Sequence, residues 1–180
     1  METFTAAKAF IAHPGYVQDR QQALNALELN RIDPPIVDLI RTIAALPHCF
    51  SLQSCYGHFL WSTGQDRHNL DRLPRSHAGR IDYRIAYLAV CIQNSPDGRA
   101  MRRQMEQMAG RDSLFVQFGS ADWFWSQYPN TYVLQVEPAR FKHQDRIVID
   151  HAEALRIETA RDRFFVRLEE LLNCRTTGVQ

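Results

Sequence analysis

The chain is almost without lysine. Lys8 and Lys142 are its only two, so nearly all of its positive charge is arginine. Arginine offers planar, bidentate contacts to phosphate, although a GC-rich coding sequence produces the same bias. The net charge is +1 over 180 residues, with no overall excess to announce a nucleic acid or an anionic membrane. No apolar run approaches the roughly 20 residues that span a bilayer. The cysteines (Cys49, Cys55, Cys91 and Cys174) follow no regular spacing. Met1 to Phe10 has neither a basic start nor a long apolar run. No signal peptide is therefore expected, and a cytoplasmic setting with free thiols is. There is no Walker loop, no G-x-S-x-G elbow and no H-E-x-x-H. No Gly-x-Gly-x-x-Gly follows a strand, which excludes an ordinary Rossmann site.

What is present suits one folded domain. Hydrophobic residues make up 45% and charged residues 23%, a globular balance rather than a disordered one. Phe4, Ala7 and Ile11 share a helical face until His13-Pro14-Gly15 interrupts it. A second helix is expected from about Tyr16 to Leu29, with Val17, Leu24 and Leu27 inward. Asp33-Pro34 reads as a helix start, Asp33 capping free amides. Ile36, Leu39, Ile40 and Ile43 then form an apolar stripe, and Pro47 stops the helix. Ile81 to Ile92 alternates as one strand, with Ile81, Tyr83, Ile85, Tyr87, Ala89 and Cys91 on one face. Ser95-Pro96 caps a helix that turns Ala100, Met101, Met105 and Met108 inward. Leu114 to Phe118 is a strand, Gly119 to Asp122 a turn, and Tyr132 to Val136 another strand. Ile147 to Ile149 is a last short one. Asp150 caps a closing helix with a stripe of Ala154, Ile157, Ala160, Phe164, Leu168 and Leu171. The order predicts one α+β domain over residues 1–180, with a mixed β-sheet and helices packed on it.

Ser51-Leu52-Gln53-Ser54-Cys55-Tyr56-Gly57-His58-Phe59-Leu60-Trp61 is the stretch that points to a site. It reads as a strand, a tight polar turn and a second strand. A turn without function more often carries Asn-Gly or Asp-Gly. Ser51, Ser54 and the Gly57 backbone can offer donors to a polar ligand. His58 can hold an anion or move a proton near neutral pH. Cys55 reads as a nucleophile beside a base, as a metal ligand with Cys49 and His58, or as a small buried residue at a corner. The Cys49, Cys55 and His58 spacing matches no common zinc pattern, so no metal is favoured. Glu137 stands at a strand end before Pro138. Ser62 to Arg80 is a polar loop in which Arg67, Arg72, Arg75 and Arg80 cluster with His68 and His77. It reads as a phosphate-binding loop or a solvated one. Trp123-Phe124-Trp125 reads as a plug over the core or as a base-stacking platform.

Three segments together resemble a known family. Ile32-Asp33, the helix from Ile36 to Leu46, and Phe50-Ser51-Leu52-Gln53-Ser54-Cys55-Tyr56-Gly57-His58 are similar to the amino-terminal part of the tRNA wybutosine-synthesizing protein 3 family. That family carries a Ser-Cys-Ser-Gly-Arg motif after such a helix. Ser54, Cys55 and Gly57 match it. Tyr56 replaces the second serine and His58 the arginine. Val136-Glu137-Pro138 and the helix with Ala154, Leu155 and Ala160 are similar to the family's Glu-Pro strand and closing helix. The resemblance implies an α+β fold of that family's type and a site at the Ser-Cys turn. It also implies methyl transfer from S-adenosylmethionine to a modified guanine of tRNA.

Two functions compete on this reading. One is an S-adenosylmethionine-dependent methyltransferase-like enzyme acting on tRNA or a modified base. His58 and Glu137 would be its catalytic residues. Ser51, Ser54, Cys55, Gly57, Arg80 and Trp123 would bind substrate or cofactor. The other is a non-catalytic ligand-binding or protein-interaction domain built on the same turn and tryptophan cluster.

Overall fold

The computed structural model describes residues 4–176, with side chains described as far as residue 173. The fold is α+β, built from two antiparallel sheets rather than one mixed sheet. Strands β1 (Phe4–Thr5), β6 (Val116–Ala121), β7 (Thr131–Val136), β5 (Ala86–Ile92) and β2 (Cys49–Cys55) lie in that order in a five-stranded sheet. Strands β3 (His58–Leu60), β4 (Ile81–Arg84) and β8 (Arg146–Ile149) form a three-stranded sheet. Helix α3 (Pro96–Gly110) connects β5 to β6, which run parallel with β7 inserted antiparallel between them. This is a strand–helix–strand crossover in split form, in which every hydrogen-bonded neighbour is antiparallel.

The two sheets are joined by one bent ribbon. β2 pairs with β5 and β3 with β4, so residues 49–60 and 81–92 run side by side along its whole length. The pairing Cys55↔Tyr87 ends the first sheet and His58↔Arg84 begins the second. Both strands change sheet at the same point, through Tyr56-Gly57 on one side and Ile85 on the other. The expected reversal at Cys55-Tyr56-Gly57-His58 is thus a corner, and the chain reverses instead through the 61–80 loop. Likewise, the expected single strand from Ile81 to Ile92 is two. At the bend Ile85 and Ala86 are both buried. Beyond it the inward face passes from odd to even positions: Leu88, Val90 and Ile92 enter the main core. Strands that switch sheets through such bends are the usual way to make a corner.

The corner satisfies its own backbone. The Tyr83 hydroxyl accepts from the Ala86 amide at 2.9 Å and donates to the Val136 carbonyl at 2.8 Å. The Ile85 amide donates to the Asp145 carbonyl at 3.1 Å. The Arg161 guanidinium donates to the Gly57 carbonyl at 3.0 Å. Without these partners the bend would bury unpaired amide groups, at about 1–3 kcal/mol each.

Three helices cover one face. The stripe of α2 (Val37–Ala45) and its lead-in turn, Ile36, Leu39, Ile40 and Ile43, is buried as expected. Met101, Met105 and Met108 of α3 join it, as do Ala154, Ile157, Ala160, Phe164 and Leu168 of α5 (His151–Thr176). Ser95 caps α3 by accepting from the Gly98 amide at 3.1 Å, and Asp150 caps α5 by accepting from the Glu153 amide at 2.8 Å. Leu171, expected inward, is only partly buried, and Leu172 is buried in its stead. No helix among the described residues is long and apolar enough to cross a membrane.

The other face carries α1 (Tyr16–Asn25) and α4 (Asp122–Gln127). Arg20 of α1 donates to the carbonyls of Ala44 at 2.7 Å and Leu46 at 2.9 Å, closing the end of α2. Val17 was expected inward but is 73% exposed. The first expected helix is not formed. Phe4 and Thr5 pair with β6, and the segment after them, in neither helix nor strand, is pinned by side chains. Asn130 bonds the amide of Ile11 at 2.9 Å and its carbonyl at 3.0 Å, and Tyr132 donates to the Lys8 carbonyl at 3.0 Å. These tertiary bonds outweigh a short stretch of helical periodicity. The expected turn from Gly119 to Asp122 is the end of β6 and the start of α4.

Gly57 is the residue on which the bend turns. Its φ is +91°, and an added Cβ would sit 2.8 Å from the Ala86 Cβ and 3.1 Å from the Ala86 nitrogen. Gly57→Ala is expected to cost about 2–4 kcal/mol. Urea unfolding checks it: the midpoint should fall while the slope stays constant.

Candidate functional site

The residues singled out in the sequence separate into two places that stand back to back. Ser51, Ser54 and Trp123 line one groove of about 460 Å³ on the α1 and α4 face. Its floor is β2 from Ser51 to Ser54. One wall is Ala23 of α1 and the chain after it through Glu28, Arg31 and Ile32. The other is α4, with Trp123, Gln127 and the following Tyr128. Phe124 is the plug that anchors α4, only 3% exposed, while Trp123 is 50% exposed and stands edge-on to it at 5.0 Å. Trp125 turns the opposite way and packs on Tyr132. The aromatic run therefore divides into anchors and one ring left for a ligand.

Cys55, Gly57 and His58 do not line the groove. Cys55 and His58 are buried on the other side of the corner, where Asp33 meets them. One ligating atom from each of Asp33, Cys55 and His58 lies within 4.8 Å of the other two. The Asp33 carboxylate accepts from the Tyr56 amide at 2.7 Å and stands 3.4 Å from His58 Nε2. Asp33 was expected to cap the helix that follows, but its side chain makes no cap bond there. His58 Nδ1 lies 3.2 Å from the Asn69 carbonyl, which can only accept, so Nδ1 carries the hydrogen. Burial works against a charge on His58, but hydrogen bonding to Asp33 and Cys55 outweighs it and pushes the ring up to about 10. Burial likewise opposes the charge on Asp33, while the bonds from His58 and Tyr56 hold it below its ordinary value. With Nδ1 bonded to the Asn69 carbonyl and Nε2 turned to Asp33, the ring is engaged within the cluster and is not aimed at a substrate as a general base.

Arg161 is the buried charge that sequence reasoning missed. It is 4% exposed, donates to the Gly57 carbonyl and to Asp162 at 2.8 Å, and lies 4.2 Å from the Tyr56 ring centre. Tyr56 in turn donates to Asp162 at 2.8 Å and stacks on Phe165. An arginine set between Ile157 and Phe164 in an apolar stripe was the available signal.

The remaining expected site residues lie elsewhere. Arg80 is exposed and donates to the Val148 carbonyl at 2.6 Å. The 62–80 loop is not free. Leu73 is buried, its amide donates to Glu158 at 3.0 Å, and His151 bonds the Pro74 carbonyl at 2.7 Å. Arg72 pairs with Asp162 at 3.4 Å. Cys49, considered with Cys55 as a metal ligand, donates to the Ile43 carbonyl at 3.7 Å and is not in the cluster. Cys174 lies outside the described side chains. Glu137 is fully buried, and neither of its carboxyl oxygens has a hydrogen-bond partner among the described residues. It lines no part of the groove.

No protein-family model matches the chain, and no curated protein does. Among solved structures, the chain is similar to the PH1069 protein from Pyrococcus horikoshii, at 13% identity and a TM-score of 0.49. The match covers 88% of this chain and 96% of that one. At that level it assigns no activity and no ligand.

Burial, with the nearby Asp145 charge, pushes Glu137 up to about 8. The folded value lies above the unfolded one. Its contribution is therefore fully present below the unfolded pKa, near 4.5, and is lost as pH rises through about 8. Glu137→Gln should flatten the fall in stability between about pH 4.5 and about pH 8, by the order of a few kcal/mol. Thermal unfolding of both proteins across that range checks it.

Proposed function

We propose that the groove between α1, β2 and α4 binds a nucleoside-bearing ligand, with S-adenosylmethionine as the ligand and a tRNA base as the methyl acceptor. The observation that carries this reading is that Trp123, far along the chain from Ser51 and Ser54, shares one groove with them. About 460 Å³ lies within the range of small-ligand sites. Trp123 and Tyr128 offer faces for an adenine ring. The serines and Gln53 offer hydrogen bonds from the strand, and Glu28 offers a carboxylate to ribose hydroxyls. The reading joins this groove to the likeness of residues 32–58 to the tRNA wybutosine-synthesizing protein 3 family.

The groove would act by positioning. S-adenosylmethionine would supply a methyl group to an acceptor nitrogen, leaving its sulfur as a thioether while the acceptor's proton passes to water, and Ser51, Ser54, Trp123 and Tyr128 would hold the donor in place. Holding the partners in line is what lowers the barrier. His58 and Glu137, the expected catalytic pair, take no part in this, since both are buried away from the groove. Arg67 and Arg75 of the loop meet no carboxylate in any ion pair among the described residues and are open to phosphate.

That same burial favours a second reading, a domain that binds such a ligand without chemistry. Calorimetric titration with S-adenosylmethionine tests the shared claim. Micromolar binding is expected, weakened about tenfold or more in Trp123→Ala and Ser54→Ala. No heat at millimolar ligand, from protein shown to be folded, would contradict it. Binding without methylation of tRNA would decide for the second reading.

A further inference from the structure

The cluster behind the groove suggests a different ligand. His58 has an acceptor facing each ring nitrogen: the Asn69 carbonyl at Nδ1 and the Asp33 carboxylate at Nε2. A neutral ring has one hydrogen and cannot satisfy both. Nε2 then carries a second proton, accepts from the Cys55 thiol beside it, or shares a cation with Asp33 and Cys55. Two distances bear on the choice. The Asp33–Nε2 separation of 3.4 Å is long for a charge-assisted hydrogen bond. It matches the roughly 3.3–3.6 Å between neighbouring ligand atoms around a tetrahedral zinc ion. The Nδ1–H bond to a backbone carbonyl is the arrangement that fixes a ligating histidine with its Nε2 lone pair free. The Tyr56 amide holds Asp33 in the same outer-shell manner.

We propose that Asp33, Cys55 and His58 bind a thiophilic divalent cation of the zinc type, with His68 of the 62–80 loop as the fourth ligand. The three ligating atoms already lie within 4.8 Å of one another. The His68 ring stands edge-on to that of His58, 5.6 Å between centres, just outside the cluster of three, and would turn in from the loop to complete the set. One thiolate, two imidazoles and one carboxylate form a set that zinc accepts, and four protein ligands make a closed, structural site. The ion would tie the loop to the corner of the ribbon. The site shares no residue with the groove, and the two proposals are read by separate measurements.

The test is metal analysis of the full chain purified with zinc, followed by cobalt substitution. One equivalent of zinc is expected, and cobalt should give a thiolate charge-transfer band with tetrahedral ligand-field intensity. Cys55→Ser should abolish that band. His68→Ala, at an exposed loop residue whose loss spares the core, should weaken zinc binding about tenfold or more. Zinc should also raise the unfolding temperature of the wild type and not that of Cys55→Ser. Folded protein that takes up less than stoichiometric zinc, or a cobalt band that survives Cys55→Ser, would overturn the proposal.

Discussion

The guanidinium of Arg161, held against the Gly57 carbonyl, is the interaction on which the rest of the structure depends. The two sheets share a single ribbon, and that ribbon bends where Gly57 passes over Ala86. A bend leaves backbone groups that neither sheet can pair. The closing helix supplies one partner through Arg161, and the Tyr83 hydroxyl supplies two more bonds. Removing a buried charged partner leaves a carbonyl without water or protein, at about 1–3 kcal/mol or more. The helix is thereby fixed to the corner, and with it the apolar face that completes the core.

The corner also explains why the groove and the polar cluster adjoin. Ile32 lines the groove and Asp33 enters the cluster; Ser54 lines the groove and Cys55 enters the cluster. One peptide bond separates the two in each case, because successive residues of an extended segment face opposite sides. What fixes Asp33 and Cys55 therefore also fixes the wall and floor of the groove. The loop contributes through Asn69, whose carbonyl meets His58, and through Leu73, which is buried in the core. It is a structural part of the corner as well as a basic surface.

The sequence was most readable where the deciding contacts are local. The Ile36 to Ile43 stripe, the Ser95 and Asp150 caps and the strand from Tyr132 to Val136 depend on neighbours a few residues away, and each is found as expected. The sheet switch was not readable. The alternation from Ile81 to Cys91 runs on unbroken through Ile85, and nothing local marks the change of inward face. Asp33 carries a true helix-start signal, with Pro34 after it, yet its carboxylate is spent on the Tyr56 amide and His58. Only the fold brings residues 33 and 58 together. The groove was readable in its members but not in its membership: Ser51 and Ser54 were expected to bind together with Cys55, Gly57 and His58, and Trp123 from a separate aromatic run, yet Cys55, Gly57 and His58 do not line the groove that the serines share with Trp123.

The Tyr56 amide reports most directly on whether the corner is the fixed point of the fold. It donates to Asp33 at the bend itself, outside both ladders. Native-state hydrogen exchange, read by two-dimensional NMR, measures the free energy needed to open that bond. If the corner organises the two sheets, the Tyr56 amide exchanges only through global unfolding, with the same protection as Leu88 and Leu134 of the central strands. Exchange at the rate of the exposed loop amides near Arg67 would contradict the account, and would show the corner to be a local joint that opens while both sheets stay folded.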